Sequence, residues 1–412
     1  MDFNDSPDEA VFRSEVRSWL AANAPTQRPV RDLTLLASDE LAQARDWQAK
    51  KADAGYAQIT WPKEWGGGGG TQMQQVIFSQ EESQLVASDH HFGIGLGMCV
   101  PTVMAYADEA TKSRFVGPAV RGDEIWCQLF SEPAAGSDLA GLRTRAVQVK
   151  GEDGADEWLI NGQKVWTSGA HNSDFGLLLA RSNPDVPKHK GLTMFWLDMK
   201  LPGVEIRPIH QMSGGSHFNE VYFTDVRIPD SQRLGKIDDG WKVALTTLMN
   251  ERLAVSGLSG ANHVQILELA RFLDQEGNGV MGDQALREKL ADWFIQAEGL
   301  KYTRFRAMTA LSRGEAPGPE SSIGKIISAN MLQDLSMSAM DLLDQYGVIN
   351  DPTVAPIEGV FQASLMSVPG LRIAGGTDEI LKNIIAERVL GLPGDIRVDK
   401  DIPFRELSVG RV

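Results

Sequence analysis

The sequence has little of what disulfide frameworks, metal sites and nucleic-acid binding require. It contains only two cysteines, Cys99 and Cys127, and so few in a large chain are expected to remain reduced thiols. The seven histidines show no metal-ligand spacing, so we expect no metal site. The net charge of −15 argues against binding to nucleic acid or to anionic membranes.

Long apolar runs and leader sequences are also missing. The longest apolar stretches, such as residues 175–180, are far shorter than the roughly 20 residues that a membrane-spanning helix needs. Five of the first twenty residues are acidic, which argues against a secretory or mitochondrial targeting segment. We therefore expect a cytoplasmic protein.

Helical periodicity dominates both ends of the chain. Apolar residues recur at nearly 3.6-residue spacing in residues 10–22, 41–54 and 72–87, and the glycine run at 66–70 breaks the pattern, as a loop does. From Trp241 to about residue 390 helical patterns return, with breaks near residues 278–282, 314–319 and 347–356. About four long helices favour a bundle.

The middle of the chain has strand character. Residues 157–166 carry β-rich flanks around Asn161-Gly162, which predicts a hairpin with a type I′ turn at that pair. Further strands are expected at 176–181, 193–198, 204–209 and 219–228. The predicted fold class is α+β and multidomain, with a helical domain at 1–124, an all-β domain at 125–236 and a helical bundle at 237–412.

Several common enzyme motifs are absent. Residues 93–97 read Gly-Ile-Gly-Leu-Gly, which is not the dinucleotide fingerprint, and no strand leads into them. The sequence contains neither a Walker A loop nor a Gly-x-Ser-x-Gly nucleophile elbow.

Two stretches in the β region carry candidate chemistry. Residues 130–138 gather small residues, two hydroxyls and a proline, and such a loop can offer backbone N–H groups to an acceptor-rich ring or a phosphate; the alternative is a polar turn before a strand. Trp166-Thr167-Ser168 places an indole beside two hydroxyls, which suits an aromatic cofactor; the alternative is a core tryptophan.

Two more candidates lie in the C-terminal third. Glu251 lies on an apolar helical stripe with Ala244, Leu248, Val255 and Leu258, where partial burial would raise its pKa and suit a general base. The alternative is a Glu251-Arg252 pair on a solvated face. Gly375-Gly376 precedes a predicted helix, and free N–H groups at such a start can hold an anion or a carbonyl oxygen; the alternative is simple capping.

Together these segments resemble the acyl-CoA dehydrogenase family over most of the chain. The resemblance rests on Trp61-Pro62 with the glycine run, the loop from Ser131 to Asp138, residues 161–169, 223–229 and 250–253, and the segment 375–390. It implies an N-terminal helical domain, a β-barrel, a four-helix bundle, and a tetramer or dimer. It also implies FAD as cofactor and an acyl-CoA thioester, an intermediate of fatty acid β-oxidation and lipid metabolism, as substrate.

The resemblance assigns site residues one by one. It gives three segments to FAD, namely Leu129, Phe130 and Ser131 at the flavin edge, Trp166, Thr167 and Ser168 beside the flavin, and Thr377, Asp378 and Glu379 at the diphosphate and adenosine side. It gives Ser137 to the CoA pantetheine, and it gives Met249, Asn250, Arg252 and Gly376 to the substrate.

The catalytic base distinguishes branches of the family. Many members carry a glutamate directly before the Gly-Thr of the last helix, where this chain has Gly375. A minority, including isovaleryl-CoA and long-chain enzymes, carry the base on the first bundle helix before an arginine, and Glu251-Arg252 matches that arrangement. The resemblance therefore implies Glu251 as the base and the backbone N–H of Gly375 as a donor to the thioester carbonyl.

Other family motifs are missing. The R-x-x-F-G segment is absent around residues 271–282, and only Gly347 remains of Q-x-x-G-G; in the family both reach a neighbouring subunit's FAD. This resembles branches that act on bulky or steroid-like side chains, some of them as mixed tetramers. The expected acceptor is an electron-transfer flavoprotein, while a non-catalytic partner subunit and an acyl-CoA oxidase remain alternatives.

Overall fold

The computed structural model describes residues 5–25, 37–83, 91–254, 261–277, 279–312, 318 and 322–407. Its contacts define two compact units. Of the described residues, the first unit holds those up to 254 together with 395–407, and the second holds those from 261 to 394. None of the helices in the described ranges has the length and apolar character that crossing a membrane requires.

The first unit begins with helices whose ends follow the sequence closely. They are α1 (Pro7–Asn23), α2 (Ala37–Asp53), α3 (Gln72–Glu82), α4 (Val100–Tyr106) and α5 (Glu109–Arg121). Ser6 and Thr71 begin α1 and α3 with capping boxes, which satisfy N–H groups that a helix start leaves open. The predicted helix at 72–87 is confirmed to Glu82; residues 84–87 lie outside the described residues.

One eight-stranded sheet forms the middle of the first unit. Its strands are β1 (Trp126–Leu129), β2 (Arg145–Lys150), β3 (Asp156–Ser168), β4 (Phe175–Arg181), β5 (Leu192–Asp198), β6 (Val204–Pro208), β7 (Phe218–Pro229) and β8 (Arg233–Leu234). The pairing order is β6-β7-β3-β2-β4-β5-β8, and β1 pairs with β4. One face covers a core that includes Trp158, Phe195 and Val226.

The hairpin turn predicted at Asn161-Gly162 is wrong. β3 runs straight through this pair, and the turn that joins β2 to β3 lies at residues 151–155, where Gly151 N–H donates to the Ala155 carbonyl at 2.8 Å. A Cβ at Gly162 would lie 2.6 Å from the Thr144 Cα. Glycine is therefore needed there for a close backbone approach rather than for a turn.

Helix α6 (Gly240–Ala254) completes the helical part of the first unit. It packs against α4 and β5, and hydroxyl pairs at 2.8 and 2.9 Å join Thr247 to Thr102 and Thr246 to Tyr106. These contacts set which face of α6 is turned inward.

The second unit consists of helices α7 (His263–Gln275), α8 (Gln284–Ser312), α9 (Ser322–Leu343), α10 (Val360–Leu371) and α11 (Asp378–Arg388). Its core is built around Leu269, Trp293, Leu335 and Phe361. The predicted break at 314–319 lies almost entirely outside the described residues. The α+β fold class, helical then β then helical, is confirmed, while the exact domain limits at 124 and 236 stay predictions.

Candidate functional site

The predicted loop at 130–138 leaves the sheet because two strands share one side of β4. β1 pairs with β4 from Trp126↔Phe175 onward, and β2 meets the same strand at Arg145↔Arg181. The chain between them, residues 130–144, has no place in the sheet and is looped out. Ser137 is exposed at the tip of this loop.

A buried ion pair closes the base of the loop. The Lys164 ammonium on β3 is fully buried and donates to the Glu132 carboxylate at 2.8 Å and to the Phe130 carbonyl at 2.9 Å. The same carboxylate accepts the backbone N–H groups of Arg143 and Thr144 at 2.6 and 2.9 Å. Glu132 therefore joins the two ends of the loop to each other and to β3.

The charge state of the Glu132 carboxylate follows from its contacts. Burial raises the pKa of Glu132, but the Lys164 ammonium and the N–H donors outweigh burial and hold that pKa below its ordinary value. The carboxylate is ionised at neutral pH, and each of its bonds is charge-assisted.

The two cofactor segments predicted in the β domain lie side by side. Val165 N–H donates to the Ser131 carbonyl at 2.9 Å, next to the bond from Lys164 to the Phe130 carbonyl. The end of β1 with Phe130 and Ser131 is thereby fixed beside the end of β3, which carries Trp166. These segments are far apart in sequence, and only the sheet brings them together.

Trp166 is not a core residue. A register shift between Lys164 and Thr167 marks a bulge in the pairing of β3 with β7, and Trp166 has a φ of 59° in this bulge. The bulge turns the indole outward, where 59% of the residue is exposed and the ring packs edge-on against Phe218. Bulges and positive φ at non-glycine residues are common where a fold aims a functional side chain.

Thr167 points the other way and has an unsatisfied hydroxyl. The residue is 2% exposed, and among the described residues its Oγ1 has no hydrogen-bond partner. Its backbone is held, because the Asn219 amide donates to the Thr167 carbonyl at 2.9 Å. Buried hydroxyls normally have partners, so the Thr167 hydroxyl is an orphaned polar group; Ser168, the next residue, is half-buried.

Glu251 lies on the inward face of α6. It is half-buried and one helical turn beyond Thr247, which faces α4. The π-helical turn Gly95–Cys99 contacts α6 and also β1. Burial, Cys127 and then the Glu251 carboxylate raise the pKa of the Cys99 thiol well above its ordinary value, which places Glu251 near this turn.

The neighbours of Glu251 differ in exposure. Met249 is 61% exposed and Asn250 is half-buried. The side chain of Arg252 lies outside the described residues, so its predicted substrate contact stays a prediction. The described members of the predicted stripe, Ala244, Leu248 and Glu251, face inward, from buried to half-buried, whereas Val255 and Leu258 lie outside the described residues.

In the second unit, charged side chains hold the glycine turn before α11. Gly375 and Gly376 have φ values of 66° and 93°, which glycine adopts without strain. The Lys325 ammonium donates to the Gly376 carbonyl, and the Thr377 hydroxyl caps α11 by accepting the Ile380 N–H at 3.3 Å.

Asp378 is used inside the protein. It is 3% exposed, and its carboxylate accepts the Arg372 guanidinium at 2.8 Å. Burial raises the pKa of Asp378, but Arg372 and Asn330 outweigh it, so that the pKa lies below its ordinary value. Asp378 therefore stabilises the turn, whereas Glu379 is exposed; whether either residue contacts a cofactor stays a prediction.

Four polar residues that organise the site escaped the sequence analysis: Glu132, Lys164, Arg181 and Lys188. Lys164 had a readable signal, because it lies in register with Trp158 and Ile160 on the apolar face of an alternating strand. Glu132, Arg181 and Lys188 carry no comparable pattern.

The order of the elements, helical then β then helical, is the architecture of the acyl-CoA dehydrogenases. Three domain profiles of this family match the chain: "Acyl-CoA dehydrogenase, N-terminal domain" over residues 6–123, "middle domain" over 127–226 and "C-terminal domain" over 238–390. The chain belongs to the acyl-CoA dehydrogenase family, whose members are FAD-dependent oxidoreductases.

Individual proteins named as acyl-CoA dehydrogenases are also similar to this chain. The chain is 36% identical over 409 residues to the acyl-CoA dehydrogenase IpdE1 of Mycolicibacterium smegmatis, covering 94% of this chain and 98% of that protein. It is 41% identical over 295 residues to the acyl-CoA dehydrogenase FadE34 of Mycobacterium tuberculosis, covering 71% of this chain but only 39% of that longer protein. The crystal structure of the ChsE4–ChsE5 complex from Mycobacterium tuberculosis is similar, with a TM-score of 0.76, 26% identity, and coverage of 96% of this chain and 100% of that one.

Proposed function

We propose that this chain binds FAD and catalyses the α,β-dehydrogenation of an acyl-CoA thioester to the trans-2-enoyl-CoA. The observation that carries the proposal is the junction of two segments in the β domain. Lys164 donates to the Phe130 carbonyl and Val165 N–H donates to the Ser131 carbonyl. These two bonds hold the start of the loop at 130–144 beside the outward-facing indole of Trp166. A flat ring system fits such a junction, because it combines backbone polar groups with an aromatic face.

An unpartnered hydroxyl is a second feature of the site that fits FAD. The buried Thr167 hydroxyl has no partner among the described residues, and a flavin ring offers both acceptors and donors at its polar edge. We assign Leu129 to Ser131 and Trp166 to Ser168 to the flavin, and Thr377, Asp378 and Glu379 to the rest of the cofactor.

In the mechanism, the chain positions the thioester and moves a proton. The thioester α-proton is weakly acidic, so donors to the carbonyl oxygen must stabilise the developing enolate. We assign the Gly375 backbone N–H to this role and the Glu251 carboxylate to removal of the α-proton. FAD, when bound, supplies the hydride acceptor for the β-hydrogen.

On the substrate side, we assign the exposed Ser137 to the CoA pantetheine. Met249, Asn250, Arg252 and Gly376 are assigned to the acyl side. We propose an electron-transfer flavoprotein as acceptor; peroxide production under air would instead indicate an oxidase.

A second candidate function is that of a partner subunit in a mixed assembly. The absence of R-x-x-F-G around residues 271–282 favours it, as does the similar structure of the ChsE4–ChsE5 complex, which contains two different chains. Light scattering of the chain alone would separate a homotetramer or dimer from a chain that needs a second one.

The cofactor prediction is tested by spectroscopy. The purified protein should be yellow, and dithionite should bleach it. Thr167→Val removes the buried hydroxyl without changing the side-chain shape, so FAD affinity should fall about tenfold, the equivalent of one hydrogen bond. The matched control is Thr224→Val at an exposed position of β7. A protein that stays colourless after incubation with FAD contradicts cofactor binding by this chain alone, and copurification with a homologous chain would then support the partner-subunit alternative.

The specificity prediction follows from the glycine turn. Ala374, Gly375 and Gly376 leave this corner without the glutamate side chain that many family members have there. We expect branched or ring-bearing acyl groups to be turned over faster than short straight ones. The measurement is kcat/KM for butyryl-CoA, isobutyryl-CoA and cyclohexanecarbonyl-CoA, and an equal or higher value for butyryl-CoA refutes the prediction.

A further inference from the structure

The C-terminal segment 399–405 lies along the loop that follows β4. Phe404 N–H donates to the Val186 carbonyl at 2.9 Å and Arg405 N–H to the Pro184 carbonyl at 3.0 Å. Pro187 and Pro403 form an antiparallel bridge between the same stretches. The segment is therefore attached to the β domain by its backbone.

Arg181 connects the C-terminal segment 399–405 to the loop at 130–144. Its guanidinium lies 3.8 Å from the centre of the Phe404 ring. It donates to the Lys188 carbonyl at 2.7 Å and to the Ala140 carbonyl at 2.5 Å. Burial lowers the pKa of Arg181 to about 10, so the guanidinium is still charged at neutral pH.

Lys188 makes the second connection. Its ammonium lies 2.9 Å from the Asp138 carboxylate and 2.5 Å from that of Asp399. The side chain is 11% exposed, and the bond from Arg181 to the Lys188 carbonyl holds its backbone in place. Asp138 directly follows the exposed Ser137 at the tip of the loop.

We propose that the C-terminal segment 399–405 positions the loop at 130–144, with Lys188 as the positioning residue between Asp399 and Asp138. This inference rests on the proposed function where it assigns Ser137 to the CoA. Pairs as exposed as Asp138, at 59%, contribute little to global stability. The consequence of the bridge is therefore local: it fixes where the tip of the loop stands when the thioester binds.

The test compares two surface variants. Asp399→Asn removes one carboxylate from Lys188 but leaves the backbone attachment. The matched control, Asp185→Asn, removes the exposed ion pair between Asp185 and Arg405, which joins the same two segments without contacting Lys188 or Asp138.

The first readout is hydrogen exchange, which does not depend on activity. Backbone amides of residues 138–142 should exchange faster in Asp399→Asn than in wild type, and at the wild-type rate in Asp185→Asn. The second readout is steady-state kinetics with isobutyryl-CoA and cyclohexanecarbonyl-CoA. KM should rise about tenfold in Asp399→Asn with kcat within about twofold, because a displaced loop binds the CoA less well but does not enter the proton transfer.

Three outcomes separate this inference from the proposed function. Equal exchange at residues 138–142 in both variants and wild type overturns the inference, whatever the kinetics. Faster exchange with an unchanged KM also overturns it, because the positioned loop would then not serve the CoA. If wild-type protein with FAD bound turns over none of the thioesters, the proposed function fails, and the exchange data still decide whether the segment positions the loop.

Discussion

Glu251→Gln should lower turnover of the best acyl-CoA substrate by at least about 10²–10⁴-fold, the usual contribution of a general base. The amide keeps the shape and the hydrogen-bonding capacity of the carboxylate but has no basicity. FAD content and the melting temperature should stay close to wild type, because the change is nearly isosteric and Glu251 is only half-buried. The measurement is kcat with an artificial electron acceptor, alongside the flavin absorbance.

The titratable neighbour of Glu251 cannot act as the base in its place. Its titratable neighbour Cys99 is fully buried, and its pKa is raised well above the ordinary value, so the thiol stays protonated at neutral pH and cannot replace the base. A suitable control is Glu268→Gln, on an exposed position of α7. Near wild-type turnover of Glu251→Gln with FAD bound would show that the base lies elsewhere.

The order of elements was predictable because the chain signals it locally. The apolar periods of 3.6 and 2 and the glycine breaks are all short-range features. The predicted strands match β4 to β7 within one or two residues at each end. Glu251 could be placed on an inward stripe for the same reason.

The wrong hairpin turn shows where local signals compete. Besides Asn161-Gly162, the sequence contains Asp153-Gly154, a pair that the prediction did not weigh and that also fits a tight turn. The chain turns at the second, where Gly154 has a φ of 81°. Asn161-Gly162 stays extended because β7 pairs with β3 on both sides of it and Thr144 passes close by, contacts that a local pattern does not contain.

The contact between the end of β1 and the end of β3 could not be predicted from the sequence, for a related reason. Ser131 and Val165 meet only because β1 and β3 belong to one sheet, with an order that sequence spacing does not specify. The outward direction of Trp166 depends on a bulge between Lys164 and Thr167, and an ideal strand would have alternated differently. The resemblance to a family named the residues, but the contacts that hold them required the structure.

The second large effect should come from Lys164→Met. The substitution leaves the Glu132 carboxylate buried with its two backbone donors but without a cation, and breaking a buried pair in this way costs about 3–5 kcal/mol. Urea unfolding at pH 7 measures this loss, and FAD should bind more weakly because the Phe130 carbonyl loses its donor as well. The surface variant Lys150→Met, which breaks an exposed pair with Asp156, should cost less than about 1 kcal/mol.

The double variant and the pH dependence make the origin of that loss testable. Lys164→Met with Glu132→Gln removes both charges and should recover a large part of the stability, since replacing both partners is far less costly than leaving one.

A carboxyl whose folded pKa is depressed stabilises the protein above its unfolded pKa of about 4.3, and that stabilisation is lost as pH falls through the folded pKa. The pKa of Glu132 is lowered in this way in wild type, and without Lys164 less opposes the effect of burial, which raises it. The gap in unfolding free energy between wild type and Lys164→Met should therefore narrow as pH falls from 7 towards the folded pKa of Glu132 in wild type. A single variant as stable as wild type at pH 7, or a double variant no more stable than the single, would mean that the Glu132–Lys164 pair does not hold the loop in place.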